Sequence, residues 1–333
     1  AFLGAIMTLA LYFVAKDDWQ WAVAFYVMAS IGYYWGNIFA DSMVVSVAEP
    51  GKLDMTSATG YFSGYLGGGL FLVLGVLMSL KPEWFGIVDK ATAVRIICVL
   101  TGIWWLVFSL PLLLWVEEPG GPKRNIGLIE ATRSGFGQIF ETVRHIRLYR
   151  PVYLFLIAYW VYIDGVGTII QMAVDYGKAI GFDTPTLIAA VLMVQFIGVP
   201  AAILFGRLGE RIGPRKGILI GLSVYVVVCI FGAFMQHALE FFILAALVGL
   251  VQGGVQLLSR SYYARLVPHE RAGEFFGFYN MLGDSAAVIG PYLMGSVSVL
   301  TGSPRLSILS IIVLFAVGAV LLARVPSDQA RGT

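Results

Sequence analysis

Ten runs of apolar residues decide what this 333-residue chain can fold into. They cover roughly 1–15, 21–46, 59–80, 91–116, 151–174, 185–206, 217–236, 239–263, 274–300 and 305–324. About 20 residues of helix, at about 1.5 Å of rise each, cross a hydrocarbon layer of about 30 Å. No water there can satisfy backbone N–H and C=O groups, so such runs must be helical. A soluble domain of this length could not bury a chain that is 59% hydrophobic with a mean hydropathy of +0.83. The expected class is an all-α integral membrane protein with ten visible spans, the first of them clipped.

The connections are mostly short. The exception is 117–150, which is polar and basic and divides the chain into an N-terminal bundle (1–116) and a C-terminal six-helix bundle (151–333). Within it Phe136, Ile139, Phe140, Val143 and Ile146 recur at helical spacing, with Arg144, Arg147 and Arg150 among and after them. This pattern predicts a short amphipathic helix, lying either on the inner leaflet or against the bundle.

The densest cationic cluster is the turn Gly206-Arg207-Leu208-Gly209-Glu210-Arg211-Ile212-Gly213-Pro214-Arg215-Lys216. Its charges cannot cross a bilayer, so they fix the side the turn faces. With this turn inside and the spans alternating, the outer side holds Lys16, Lys81, Lys90, Arg95, Lys178 and Arg305, and the inner side holds the larger share of the 22 Lys and Arg. Trp19, Trp21 and Trp84 then sit at outer boundaries, as an aromatic belt would. Both visible termini are expected on the cytoplasmic side.

An internal repeat runs through the chain. Asp41-Ser42, Pro50 and Gly60-Tyr61 match Arg260-Ser261, Pro268 and Gly277-Phe278. The copies have the same sidedness and lie about 218 residues apart, which points to two homologous halves related by an axis along the membrane normal. With six spans in each half, the ten visible spans are the third to twelfth of twelve. A twin of the basic turn is then expected upstream of Ala1.

The basic turn resembles the inner-loop signature of the major facilitator superfamily. Tyr162-Ile163-Asp164-Gly165-Val166-Gly167-Thr168 more closely resembles its autophagy-related vacuolar effluxer-like family. So do Gly60-Tyr61 with Gly64-Tyr65-Leu66-Gly67-Gly68, Gln252-Gly253-Gly254 with Gln256 and Ser259-Arg260-Ser261, and Glu274-Phe275-Phe276-Gly277. The resemblance covers nearly the whole chain. It implies a two-bundle transporter, with amino-acid efflux for the vacuolar members. It also implies that Glu210 and Arg211 form a charge relay gripping the inner end of a neighbouring span. Gly206, Gly213, Arg215 and Lys216 complete that gating signature.

Carboxyls inside spans narrow the chemistry. An Asp at a helix centre costs about 2.5–3.5 kcal/mol on insertion scales. Asp164 lies about 13 residues into its span and Asp284 about ten into its own. Each is either a structural group bonded to a neighbouring helix or a proton-coupling or substrate-binding carboxylate facing an aqueous cavity. Tyr162 and Gln171 share the span of Asp164 and join it as candidates. Asn37, Gln252 and Gln256 lie on spans that, by the resemblance, line the central cavity; they suit a polar or zwitterionic solute, or else bond between helices. Asp41 and Arg260, acid and base at equivalent places in the repeat, are expected to meet as an inner-gate salt bridge, or to pair locally. The glycines at 60, 64, 67, 68, 69, 249, 253 and 254 read as close-packing faces.

No phosphate-binding Gly-x4-Gly-Lys-Ser/Thr loop, His-Glu-x2-His, Cys-x2-Cys or Gly-x-Ser-x-Gly occurs. ATP-driven pumping and embedded hydrolase chemistry therefore lack their parts, and no cofactor or metal is expected. The expected function is secondary active transport of a small polar solute by alternating access, with protons as coupling ion and amino-acid efflux as the family's implication. The alternative is a non-transporting membrane scaffold or sensor that keeps the fold. The expected surroundings are a bacterial cytoplasmic membrane and no nucleic acid, with the protein a monomer.

Overall fold

The computed structural model describes residues 1–15, 17–49, 51–116, 149–286 and 288–326. The linker at 117–148, with the amphipathic helix expected there, lies outside the described residues, as does Pro50 of the repeat. The described residues are helical with short turns and contain no strand. The helices are α1 (Phe2–Ala10), α2 (Trp19–Val47), α3 (Leu53–Leu80), α4 (Lys90–Trp115), α5 (Arg150–Ala179), α6 (Thr184–Ile212), α7 (Pro214–Phe234), α8 (Ala238–Leu266), α9 (Ala272–Ser285), α10 (Ile289–Thr301), α11 (Pro304–Ser310) and α12 (Ile312–Ala323).

Each expected apolar run coincides with a helix or a consecutive pair. Among the described residues seven segments are long and apolar enough to cross a membrane: α3 to α8, and α11 with α12 taken together. α2 has 29 residues, and α1 with its 3-10 extension is shorter. Over the run expected at 274–300 lie two helices, α9 ending at Ser285 and α10 beginning at Ile289.

Local chemistry sets the helix ends. α5, α6, α7 and α11 carry proline in their first turn, where the missing N–H is no loss. Asp89 caps α4 by accepting the Thr92 N–H at 2.9 Å. Gly213, at φ +87°, lets α6 pass into α7 within the basic turn.

The helices fall into two compact units. The first comprises Ala1–Met43 and Leu70–Arg124. Within it α1 packs on α4, where Gly4 admits the Trp105 ring and Gly102 admits Leu9. Trp104 and Phe108 lie 4.4 Å apart, centroid to centroid.

The second unit comprises Val44–Gly69 and Asn125–Thr333. Here α8 packs against α6 and α7, and α5 packs against α12. The α5–α12 approach is close because Gly165 faces Phe315 and Gly318 faces the Tyr162 backbone. Two arginines fasten α7 to the α11–α12 pair. Arg215, at the start of α7, donates to the Val325 carbonyl at 2.8 Å and to that of Ala323, at the end of α12. Arg305, at the start of α11, donates to the carbonyls of Ala233 and Met235 at the end of α7. Each cation thus fills the acceptors that a helix C-terminus leaves open.

Candidate functional site

The second unit holds three polar features that hydrophobic packing alone would not produce. The first is a buried acid in the opening turn of α3. The Asp54 carboxylate is fully buried and accepts from Ser261 Oγ at 2.5 Å and from an Arg265 guanidinium N–H at 2.7 Å, both on α8. Nearby, Ser57 Oγ donates to the Leu257 carbonyl at 2.9 Å. Arg260 donates through Nε to Ser57 Oγ at 2.9 Å and lies over the Tyr61 ring at 5.0 Å.

The basic turn completes this node through its glycines. A methyl group on Gly209 would stand 2.9 Å from Asp54 Oδ2, and one on Gly206 would meet the Ala58 methyl at 2.5 Å. A side chain at Gly209 would therefore crowd the carboxylate, and one at Gly206 would push α3 away from the turn. A buried carboxylate is tolerable only when its charge and lone pairs are met in this way.

Gly206 and Arg260, both singled out in the sequence, lie in this region, whereas Asp54 was overlooked. A signal was available: Asp54 stands six residues before Gly60, and Arg271 stands six before Gly277 in the second repeat copy, again acid against base. Glu210, Arg211 and Lys216 are exposed and make no ion pair among the described residues. Within the turn, it is Arg215 that grips a neighbouring helix, through the end of α12. Asp41 is half-buried on α2, in the first unit.

The second feature is a cavity of about 170 Å³ lined by α5, α6, α7, α8, α10 and α11. Its wall is apolar, with Ile169, Met172, Val194, Leu244 and Met294 prominent, and no charged side chain lines it. The polar side chains at the wall are Gln195, Gln252 and Tyr176, and the Tyr176 hydroxyl is committed to the Gly232 carbonyl at 2.8 Å. Beside it, Tyr65 of α3 inserts its ring between α6 and α8. Methyl groups at Gly198 and Gly253 would lie 2.8 Å and 2.5 Å from that ring.

Of the polar residues expected around a solute, Gln252 reaches this cavity. Gln256, one turn along α8, is half-buried, as is Asn37 on α2; Gln171 and Asp284 are exposed. Tyr162 is fully buried elsewhere, with its hydroxyl 2.7 Å from Ser259 Oγ. Gln195 was not anticipated, because a lone glutamine in an apolar run carries no pattern.

The third feature is Asp164, which is 1% exposed and is not among the residues lining the cavity. Its carboxylate accepts the Ile289 N–H at 3.0 Å and the Gly290 N–H at 2.7 Å, with Thr168 Oγ1 at 3.3 Å. Asp164 of α5 therefore caps the N-terminus of α10 across the α5–α10 contact.

A helical bundle of this kind agrees with what the sequence is similar to. The family model described as "Vacuole effluxer Atg22 like" matches residues 1–333. The chain belongs to that family. The Atg22-like chain is 35% identical over 326 residues to the uncharacterised MFS-type transporter YxiO of Bacillus subtilis, covering 98% of this chain and 76% of YxiO. It is 23% identical to autophagy-related protein 22 of Yarrowia lipolytica, covering 83% of this chain and 51% of that protein. The chain thus spans about half the length of that fungal relative. Among solved structures, the human organic anion transporter MFSD10 superposes with a TM-score of 0.70 at 15% identity, over 96% of this chain and 76% of that one. The Atg22-like protein is accordingly an integral membrane transporter of major facilitator fold, and its relatives are transporters rather than enzymes.

Proposed function

We propose that the protein is a secondary active transporter that moves a small solute, with amino acids as the class and efflux as the direction, by alternating access in a bacterial cytoplasmic membrane. The observation that carries this reading is the Asp54 node. It ties the start of α3, from the first repeat copy, to the end of α8, from the second. A transporter needs a contact that holds one side shut yet can be exchanged for water when that side opens. A buried ion pair with a hydroxyl partner has that property, because its charges are readily solvated once separated.

The cavity supports the solute class. Its uncharged wall would receive the carbon side chain of an amino acid, and Gln195 and Gln252 would supply donors and acceptors beside it. An ammonium or carboxylate has no counter-charge inside, so the solute's charged end would remain in the aqueous path. The membrane assignment draws on the Bacillus relative, and the positive-inside count supports a basic turn and visible termini on the cytoplasmic side.

The test is counterflow of a labelled amino-acid panel in proteoliposomes, for the wild type and for Asp54→Asn. The expected result is exchange of at least one apolar amino acid by the wild type and altered exchange in the variant. Absence of counterflow with every solute, in a protein that remains folded, would favour the scaffold or sensor.

A further inference from the structure

Among the described residues, the buried side-chain oxygen left without a hydrogen-bond partner is the hydroxyl of Tyr225, in the middle of α7. The residue is 0% exposed, and its ring stacks on Phe315 of α12 with centroids 5.0 Å apart. A buried hydroxyl with no partner has given up water for nothing, so packing alone would favour phenylalanine here. Other buried tyrosines of this unit are satisfied. Tyr176 donates to the Gly232 carbonyl and Tyr263 to the Phe275 carbonyl, each at 2.8 Å, and the Tyr162 hydroxyl lies 2.7 Å from Ser259 Oγ.

Contacts on either side fix the level of Tyr225. One turn before it, Gly221 faces Val255 of α8; two turns beyond it, Gly232 faces Leu244 of the same helix. The two helices therefore run antiparallel, and Tyr225 stands level with Val251 and Gln252. Its stacking partner Phe315 lies against Gly165 of α5, one turn before Ile169. Val228, Gln252 and Ile169 all line the cavity, whereas Tyr225 does not. The unpartnered side chain thus adjoins the cavity at the end nearer the basic turn.

The cavity has room for one ring. Its volume is about 170 Å³, and an apolar void of about 150 Å³ takes up benzene. The charged end of an amino acid finds no counter-charge in this wall and stays outside. The far edge of an aromatic side chain is then the part that reaches deepest, toward Tyr225.

From this geometry we infer that Tyr225 selects for a phenol: its hydroxyl is the hydrogen-bond partner of a phenolic oxygen on a ring seated in the cavity. A phenol both donates and accepts, so it can take the Tyr225 proton and give its own to an amide oxygen such as that of Gln252. A site that holds a hydroxyl in this way rejects the analogue without one, because the buried group is again left unpaired. Tyrosine is therefore favoured over phenylalanine as solute. That last step rests on the transport reading; the phenol site itself does not.

The site is tested with para-fluorophenol and fluorobenzene, followed by fluorine NMR on the purified protein in detergent, with Tyr225→Phe as the control for partition into micelles. The wild type should bind the phenol roughly tenfold or more tighter than fluorobenzene. Tyr225→Phe should lose that preference by weakening the phenol alone, while its melting temperature without ligand stays the same or rises. Equal affinity for both probes in the wild type, or an intact preference in Tyr225→Phe, overturns the inference. So does a lowered melting temperature in Tyr225→Phe, which would show that the hydroxyl already has a partner. In proteoliposomes, counterflow of labelled tyrosine should exceed that of phenylalanine in the wild type and match it in Tyr225→Phe. Phenol selectivity without counterflow of any amino acid would remove the transport reading and leave the site standing; counterflow with no phenol selectivity would do the reverse.

Discussion

Asp54 and Arg265 meet at 2.7 Å across the α3–α8 contact, with the carboxylate fully buried and the guanidinium about a quarter exposed. Such a pair is poor evidence of net stabilisation, because both ions have left water to form it. Breaking one side is a different matter, since Asp54→Ala strands the Ser261 hydroxyl and leaves a partly buried guanidinium without its counter-charge. The variant is therefore expected to destabilise the protein by about 1–3 kcal/mol. An unfolding titration in detergent measures this. Arg211→Gln, at an exposed position with no ion pair among the described residues, should stay within about 0.5 kcal/mol in the same assay.

How much of this was legible in the sequence depends on the range of the cause. The helices follow from local composition and were read as runs, with ends marked by Pro151, Pro185, Pro214 and Pro304. The start of α10 at Ile289 also had a local sign in Gly290-Pro291, since proline is favoured in a helix's first turn. The uninterrupted hydropathy of 274–300 hid it. Asp164 was singled out because a carboxyl in a span is rare, but nothing in the sequence showed which amides it would meet. Asp54 looked like an ordinary acid in a first helical turn. Its partners lie more than 200 positions away, at Ser261 and Arg265, and only the packing of α3 on α8 singles it out.

The Tyr65 wedge predicts a compensating pair. Gly253→Ala places a methyl 2.5 Å from the Tyr65 ring, and overpacking of this kind costs about 1–3 kcal/mol. Replacing Tyr65 by Leu removes part of the wedge's volume and costs about 1–3 kcal/mol of packing. The double variant should be less destabilised than the sum of the two singles, because the leucine vacates the space the methyl needs. A strictly additive result in a double-mutant cycle would show that the ring can move aside.

The crossed arginine clamps predict local rather than global effects. Arg215→Met removes donors from the Ala323 and Val325 carbonyls, and Arg305→Met does the same for Ala233 and Met235. Each loss should cost about 1–2 kcal/mol, as charge-assisted bonds to helix C-termini do. Hydrogen exchange should rise at the end of α12 in the first variant and at the end of α7 in the second. Equal loosening at both sites in both variants would mean that the two helices unfold together rather than fray separately.

The cavity makes the sharpest functional prediction. Ala245 lies at its wall and is 8% exposed, with Leu244 and Val248 beside it on α8. A phenylalanine at this position can place its ring in the existing void, so the fold should tolerate it better than a substitution in a packed core. If the cavity receives the solute's side chain, Ala245→Phe should abolish solute-dependent thermal stabilisation and reduce counterflow at least tenfold, while the melting temperature without solute stays the same or rises. A smaller change at the same wall sharpens the reading. Gln195→Leu keeps the volume but deletes the amide, so it should weaken binding of a solute that hydrogen-bonds there and leave the size limit unchanged. Unaltered transport by Ala245→Phe, in a variant whose void is shown to be filled, would place the solute elsewhere.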